Sequence, residues 1–316
     1  MKGLAQAIRY INKAKTIAIA GHINPDGDCI GSLLSLGCGL KKLGKRVTLV
    51  SYDGVPKKYR KLPGAELIKR TVDKKVDLAI TVDCNAQEML GGAFKGLRKA
   101  DTILEIDHHE IRDSFGDIRL VDEDAAAVGE QVYILLKKLG VKITTDIAQN
   151  ILTSLIVETN SFKLPNVRPF TFEICAELVK TGVNFYKLVD MVYWSNSREV
   201  AILSGICIAR SKFLGKGRLV WSIAKREDFK KVKGKDEDVD AVADEMRSIA
   251  GVDIVVFFRE KSDKKLRISL RSKKNINIAL LAEMYGGGGH SDVAGCTMPN
   301  DPKAMQQLLR RAKKFL

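Results

Sequence analysis

The sequence predicts an α/β protein in which a parallel-sheet domain is joined by a helical linker to a smaller α/β domain. Its 316 residues exceed the length at which one hydrophobic core stops growing, which favours two domains. Early in the chain, short β-branched runs alternate with helical patterns, as in parallel sheets. Beyond Gly215 and Gly217, strand-like runs begin again. We therefore expect a first domain at residues 1–190, a linker at 191–213 and a second domain at 214–316.

In the first domain, strands are predicted where short apolar runs are rich in β-branched residues. These runs lie at residues 16–20, 46–50, 77–82 and 101–106. Residues 30–43 show a helical pattern that ends at Gly44, a typical helix terminator. Further helical patterns lie at residues 128–138, 146–158, 170–180 and 185–194.

The second domain is predicted to follow a helical pattern at residues 198–213. Strand-like runs lie at residues 218–223, 254–259 and 266–270, and helical patterns at 276–285 and 302–316. The charged run at residues 230–240 is predicted to be a solvated loop.

The formal net charge of +15 arises from 53 basic and 38 acidic residues. Such an excess raises the local concentration of polyanions such as nucleotides and short nucleic acids. A solvated, lysine-rich surface explains the charge nearly as well, so the charge alone does not identify a ligand.

The six cysteines show no CxxC spacing and lie mostly in apolar runs, so we expect buried thiols in a reducing compartment. The N-terminal segment lacks the apolar core of a signal peptide, and no apolar run approaches the length needed to span a membrane. We therefore expect a cytoplasmic protein with no membrane partner.

Three polar clusters follow three of the predicted strands and contain three of the four histidines. The clusters are His22-Ile23-Asn24-Pro25-Asp26-Gly27-Asp28, Asp83-Cys84-Asn85 and Asp107-His108-His109. Ligands of an open parallel sheet bind outside the carboxyl ends of its strands, so the three clusters can converge. Any one cluster fits turn and helix-cap residues at least as well, but the three together favour a single site.

Carboxylates and imidazoles without a thiolate suit manganese, magnesium or iron better than structural zinc. Five or six such donors exceed what one ion needs beside substrate and water. Two metals about 3.5 to 4 Å apart, bridged by one carboxylate, would use them all and stabilise the attacking and leaving oxygens of phosphoryl hydrolysis. The clusters therefore predict a two-metal phosphoesterase site.

These motifs resemble those of the DHH phosphoesterase superfamily. The run Gly286-Gly287-Gly288-Gly289-His290, with Ala294-Gly295, resembles the signature of its DHHA1 domain. The two-domain plan is similar to that of the stand-alone oligoribonuclease (nanoRNase) and pAp phosphatase branch. The resemblance implies a homodimer with two manganese ions per chain, magnesium being the alternative. It assigns the first metal to His22, Asp26 and Asp83, and the second to Asp28, Asp83, His108 and a further carboxylate.

The further carboxylate is where this chain departs from the family pattern. The family has an aspartate within a Thr-Asp-Thr-Gly sequence, whereas the matching stretch here is Val157-Glu158-Thr159-Asn160. Glu158 keeps the charge but adds a methylene, and Asn160 replaces a glycine. We predict that Glu158 still ligates the second metal.

Substrate binding is predicted around the glycine run of the second domain. A glycine run is commonly a linker, but this one lies between a helical pattern and a strand-like run, where backbone N–H groups can approach a phosphate. Arg271 alone fits surface charge, yet its guanidinium fork suits a phosphate. In the resembled family the matching arginine and serine hold a substrate phosphate. The predicted substrate-binding residues are Arg271, Ser272, Gly287, Gly288, Gly289 and His290.

We expect an enzyme that hydrolyses short oligoribonucleotides to mononucleotides, with conversion of pAp to AMP as a second activity. Asp107 is expected to orient a metal ligand. His109, as the resemblance suggests, faces the substrate and stabilises the leaving oxygen. The alternative is a phosphodiesterase for cyclic dinucleotides or their linear products. The non-enzymatic alternative is a metal-dependent nucleotide- or RNA-binding module.

Overall fold

The computed structural model describes residues 3–109, 114–261, 263–273, 276–289 and 291–316. The chain divides into two compact units, Met1–Ser195 and Asn196–Leu316, and the boundary falls inside the predicted linker. Among the described residues, no helix is both long and apolar enough to cross a bilayer.

The first unit contains a parallel sheet, which confirms the predicted fold class. Its strands are β1 (Thr16–Ala20), β2 (Arg46–Val50), β3 (Ile68–Lys69), β4 (Leu78–Val82), β5 (Ile103–Asp107) and β6 (Ile118–Val121). They run in the order β3-β2-β1-β4-β5-β6, and each neighbouring pair is parallel. The central strand β4 is buried along its whole length, as expected of a parallel sheet covered on both faces.

The helices of the first unit include all five that the sequence predicts. They are α1 (Leu4–Lys13), α2 (Gly27–Lys42), α3 (Phe94–Leu97), α4 (Val128–Lys138), α5 (Thr145–Glu158), α6 (Pro169–Val179) and α7 (Phe185–Tyr193). Helix α2 begins at Gly27 rather than at residue 30, because the Asp26 side chain accepts a hydrogen bond from Cys29 N and caps the helix. The residues of the first cluster therefore extend into a helical turn.

Helices α2 and α5 pack against each other unusually closely. A Cβ atom added at Gly31 would lie 2.4 Å from Asn150 O and 2.9 Å from Ser154 N, closer than side-chain carbons approach a backbone. Only glycine allows this approach. The packing brings the first turn of α2 toward the last turns of α5.

The second unit contains a mixed sheet. Its strands are β7 (Lys212–Leu214), β8 (Leu219–Ala224), β9 (Ile254–Glu260), β10 (Lys265–Ser272), β11 (Gly288–Gly289) and β12 (Val293–Pro299). The order is β11-β12-β10-β9-β8-β7, in which β8 and β9 are parallel and the other pairs antiparallel. Its helices are α8 (Arg198–Ala209), α9 (Arg226–Val232), α10 (Val242–Arg247), α11 (Ala279–Glu283) and α12 (Pro302–Lys313).

Two parts of the second unit differ from the prediction. Helix α8 ends at Ala209, and residues that continue its helical pattern form β7 instead; Leu203 and Cys207 of α8 are buried in a core of the second unit. The charged run at 230–240 is largely exposed, as predicted, but it is not an irregular loop. It includes the end of α9 and a 3₁₀ turn, Asp236–Val239, and Asp236 pairs with the buried Arg259 of β9.

Candidate metal centre

The three polar clusters meet at the carboxyl ends of β1, β4 and β5. His22 follows β1 by two residues, Asp83 directly follows β4, and Asp107 is the last residue of β5. Potential ligand atoms form three groups, and within each group the atoms lie no more than 4.8 Å apart. The groups are His22, Cys29 and Asp83; Asp83, His108 and His109; and Asp28, His108 and Glu158. Five of the six predicted ligands occur in these groups. The sixth, Asp26, has its Oδ1 3.8 Å from His22 Nε2.

Asp83 occupies the centre of this arrangement. Its backbone is left-handed, with φ of 59°, a strained conformation for an aspartate that points to a functional constraint. One oxygen, Oδ2, lies 3.4 Å from His22 Nε2. The other, Oδ1, lies 3.9 Å from His108 Nε2 and 3.5 Å from His109 Nδ1. The two oxygens of Asp83 therefore face different histidines, Oδ2 facing His22 and Oδ1 facing His108 and His109.

His22 and Asp26 lie on the other side of Asp83. His22 Nδ1 lies 2.7 Å from the carbonyl of Ile23, which directs Nε2 toward the carboxylates. Nε2 is 3.8 Å from Asp26 Oδ1. Asn24, with φ of 51°, reverses the loop between them, and its backbone N–H donates to Asp53. The short Asn24-Pro25 turn therefore folds His22 and Asp26 toward the same side.

Asp28 is fully buried and held from three directions. Oδ1 accepts hydrogen bonds from Ser32 Oγ at 2.9 Å and from Ser154 Oγ at 2.6 Å. Oδ2 accepts from Val128 N at 2.9 Å and lies 3.8 Å from His108 Nε2. The carboxylate is therefore fixed in place before any ligand binds.

His108 and Glu158 complete the same side of the centre. His108 Nδ1 lies 3.1 Å from the carbonyl of Ala125, so that Nε2 points at the carboxylates of Asp28 and Asp83. Glu158 is the last residue of α5, and its Oε1 is 3.8 Å from His108 Nε2. The longer side chain at this position does reach the cluster.

Asp107 is placed to orient the histidine pair. Its Oδ1 lies 2.7 Å from His109 Nδ1 and accepts a hydrogen bond from His108 N at 2.8 Å. The side chain is buried, and Oδ2 has no hydrogen-bond partner among the described residues. Asp107 thus contacts the ring of His109 and the backbone of His108; its predicted role of orienting a metal ligand stays a prediction.

The donor separations fit divalent ions better than they fit direct pairing. The distances around His108 Nε2, 3.8 to 3.9 Å, exceed those of hydrogen bonds. Two ligands that are each about 2.0 to 2.2 Å from one ion lie about 3 Å apart at a right angle and about 4 Å apart when opposite. The donors are hard oxygens and imidazole nitrogens, and the buried carboxylates need a positive partner.

The pKa values of the buried acids and of His109 also show how burial and neighbouring charges affect this site. Burial and the charge of Asp83 raise the pKa of Asp28 to about 6. Burial acts in the same direction on Asp83, but hydrogen bonding to His22 and the charges of the histidines outweigh it and hold the pKa of Asp83 below its ordinary value. Burial lowers the pKa of His109, but the hydrogen bond to Asp107 and the charge of Asp83 raise it to about 9. The cluster therefore favours positive charge around Asp83.

Cys29 and Tyr59 are two residues at this centre that the sequence reasoning missed. Cys29 is fully buried, and its Sγ lies within 4.8 Å of the donor atoms of His22 and Asp83. Burial raises the pKa of its thiol, which disfavours the thiolate that a metal would need. The sequence signal for Cys29 is its position in the first turn of α2, directly after Asp28 of the first cluster. Tyr59 lies in a 3₁₀ turn that no motif marks.

The described members of the predicted phosphate-binding set lie at one end of the sheet of the second unit. Arg271 Nε and Nη2 donate to the two carboxylate oxygens of Asp244 at 2.7 and 3.2 Å, and Nη1 donates to Leu270 O at 3.1 Å. Ser272 is buried, and its Oγ donates to Ile276 O at 2.6 Å. The serine hydroxyl therefore ties down the segment that leads to the glycine run.

The glycine run is part of the sheet. Gly288 and Gly289 form β11, which pairs with β12. A Cβ atom at Gly287 would lie 2.1 Å from Gly295 O, so the close approach of two backbones already requires glycine there. His290 lies outside the described residues, so its predicted role stays a prediction.

Comparison with known proteins agrees with the geometry of both units. The DHH family, N-terminal domain, matches residues 16–157, and the DHHA1 domain matches residues 216–316. The bifunctional oligoribonuclease and PAP phosphatase NrnA of Thermus thermophilus is 30% identical over 312 residues, which cover 94% of this chain and 92% of that protein. The chain belongs to the DHH phosphoesterase family. The resemblance inferred from the motifs is confirmed, and so is the expectation of a hydrolase.

Two further similar proteins extend the comparison. The protein of the same name in Bacillus subtilis is 25% identical over 299 residues, covering 93% of this chain and 92% of that protein. A crystal structure of an exopolyphosphatase-related protein from Bacteroides fragilis superposes with a TM-score of 0.91, covering 99% of this chain and 95% of that one. At 22% identity, this structure supports the DHH fold of the chain.

Proposed function

We propose that this protein is a manganese-dependent phosphoesterase that hydrolyses short oligoribonucleotides to mononucleotides and pAp to AMP. The observation that carries the proposal is the ring of donor atoms around Asp83, which suits two divalent ions. Relatives named as oligoribonuclease and PAP phosphatase align over almost the whole chain and support this substrate class.

In this proposal His22, Asp26 and Asp83 hold the first ion, and Asp28, Asp83, His108 and Glu158 hold the second. When bound, such a pair of ions acidifies water and neutralises charge on the attacking and leaving oxygens of a phosphate. The protein contributes rigidity. Ser32, Ser154 and Val128 hold Asp28, and the Ala125 carbonyl holds His108, so little reorganisation is needed when a phosphate arrives.

His109 is proposed to act on the phosphate itself. Its side chain is more exposed than that of His108, and the hydrogen bond to Asp107 keeps the ring oriented. In the metal-free protein, the hydrogen bond to Asp107 and the charge of Asp83 outweigh burial and raise the pKa of His109 to about 9. An oriented imidazole N–H stabilises negative charge on a leaving oxygen.

Arg271 is proposed to grip a second phosphate of the substrate. A guanidinium has five N–H donors, and within the described chain Arg271 uses three of them, two on Asp244 and one on Leu270. The other two remain for a phosphate. Ser272, Gly287, Gly288, Gly289 and His290 are proposed to line the same binding site.

The proposal is tested with a manganese-supplemented panel of substrates. The panel holds pAp, 5′-phosphorylated RNA of two to five nucleotides, cyclic di-AMP and pyrophosphate. Mononucleotide release from the short RNAs and from pAp is expected. Turnover of cyclic di-AMP alone would favour the cyclic dinucleotide phosphodiesterase, and turnover of pyrophosphate alone would overturn the substrate class. Bound dinucleotide without any product would favour a binding module, and light scattering would test the predicted homodimer.

A further inference from the structure

Tyr59 has a buried hydroxyl that the fold itself leaves unsatisfied. The residue ends the 3₁₀ turn Lys57–Tyr59, and its side chain is fully buried. Among the described residues, its Oη has no hydrogen-bond partner. A buried polar group without a partner costs about 1 to 3 kcal/mol. A hydrogen bond to a nearby acceptor would remove this cost.

The hydroxyl lies beside the first turn of α2. A Cβ atom at Gly27 would lie 2.9 Å from Tyr59 Oη on one side and 2.4 Å from Val157 Cγ2 on another. Gly27 directly follows Asp26, and Val157 directly precedes Glu158. The hydroxyl is therefore next to the backbone that carries one proposed metal ligand and near the backbone that carries another.

Asp26 is the less supported of the two aspartates in the first cluster. Its side chain is 46% exposed, whereas that of Asp28 is fully buried. Within the described residues, its carboxylate accepts one hydrogen bond, from Cys29 N at 3.0 Å. Asp28 accepts three. Ligands of a metal are normally held by further hydrogen bonds, and Asp26 has room for one more.

We propose that Tyr59 is a positioning residue whose hydroxyl donates a hydrogen bond to Asp26 and so fixes that carboxylate as a ligand of the first metal. This rests on the proposed metal assignments. Because the side chain is fully buried, it acts through Asp26 and not on the substrate. A phenol suits the task, since it donates one hydrogen bond and stays neutral beside a carboxylate.

The test is manganese binding by Tyr59→Phe, measured by titration calorimetry without substrate. The substitution keeps the ring and removes only the hydroxyl. We expect two ions per chain in both proteins, with one site weakened about 10-fold in the variant, the lower end of the range for loss of such a partner. The manganese concentration for half-maximal activity should rise by a similar factor, while kcat at saturating manganese stays unchanged.

The matched control is Tyr285→Phe. Tyr285 Oη also has no partner among the described residues, but it lies in the second unit. The control should bind manganese like the wild type. Unchanged affinity in Tyr59→Phe would overturn the proposal, as would equal weakening of both sites. A wild type that binds two ions without hydrolysing any substrate would refute only the proposed function, whereas a wild type that binds none would refute both.

Discussion

Replacing Asp28 with asparagine should stabilise the metal-free protein while it weakens metal binding. Asp28 is fully buried, and its pKa is raised from 3.8 to about 6, chiefly by burial and by the charge of Asp83. The folded protein therefore favours the neutral acid, and ionisation of Asp28 at neutral pH destabilises the folded state. Asparagine has the same shape without the charge.

The expected gain in the free energy of unfolding follows from the raised pKa of Asp28. A difference of about two pKa units corresponds to about 3 kcal/mol at pH 7. The amide can still accept from Val128 N and donate to the two serine oxygens, while Ser32 and Ser154 turn their hydroxyls to helix carbonyls. This rearrangement costs about 1 kcal/mol. The net gain is about 2 kcal/mol, or about 4 to 8 °C in the midpoint of a domain of this size.

The assay is thermal unfolding in EDTA and in manganese. Since the folded-state pKa of Asp28 is raised, the free-energy cost of its ionisation is absent at low pH and grows as the pH rises through about 6. At pH 4.5 this cost is only about 1 kcal/mol. The stability advantage of Asp28→Asn should therefore vanish at that pH. With manganese at 100 times its dissociation constant, wild type gains about 2.7 kcal/mol per site and the order reverses. Asp263→Asn, on the surface, serves as control. A metal-free Asp28→Asn protein no more stable than wild type at pH 7 would refute the reasoning.

Three further substitutions test the proposed roles of Glu158, Arg271 and His109. Glu158→Ala should bind one manganese ion per chain instead of two, counted by elemental analysis, and a variant that retains two ions would exclude Glu158 as a ligand. Arg271→Ala should raise KM for 5′-phosphorylated RNA about 10-fold or more with little change in kcat, since it removes a charge-assisted phosphate contact; Arg267→Ala, on the same strand, is the control. His109→Gln should lower kcat about 10²-fold or more at unchanged metal content. Loss of metal from that variant would instead make His109 a ligand.

The metal centre could be predicted because a simple topological rule applies to it. His22, Asp83 and His108 each follow a strand whose β-branched run is plain in the sequence, and the carboxyl ends of parallel strands share one edge. Glu158 needed more. It lies 50 residues beyond His108, at the end of a helix, and only its place in a family motif marked it.

Other features depend on contacts between distant segments, which local patterns do not reveal. Ser154 holds Asp28 across 126 residues. Asp236 looked like part of a solvated run, yet it pairs with Arg259, whose side chain is 3% exposed. The orphan hydroxyl of Tyr59 is also invisible in sequence, because it is a property of everything packed around it. Such features require the folded structure.

The glycine at position 31 has a consequence for the choice of ion. It lets α2 and α5 touch one turn away from Asp28, and α5 carries Glu158 at its end. Helix packing therefore sets the spacing of the two backbone segments that carry these carboxylates. A side chain at position 31 would push the segments apart. The affinity for an ion held between them would then depend on a residue that touches no metal.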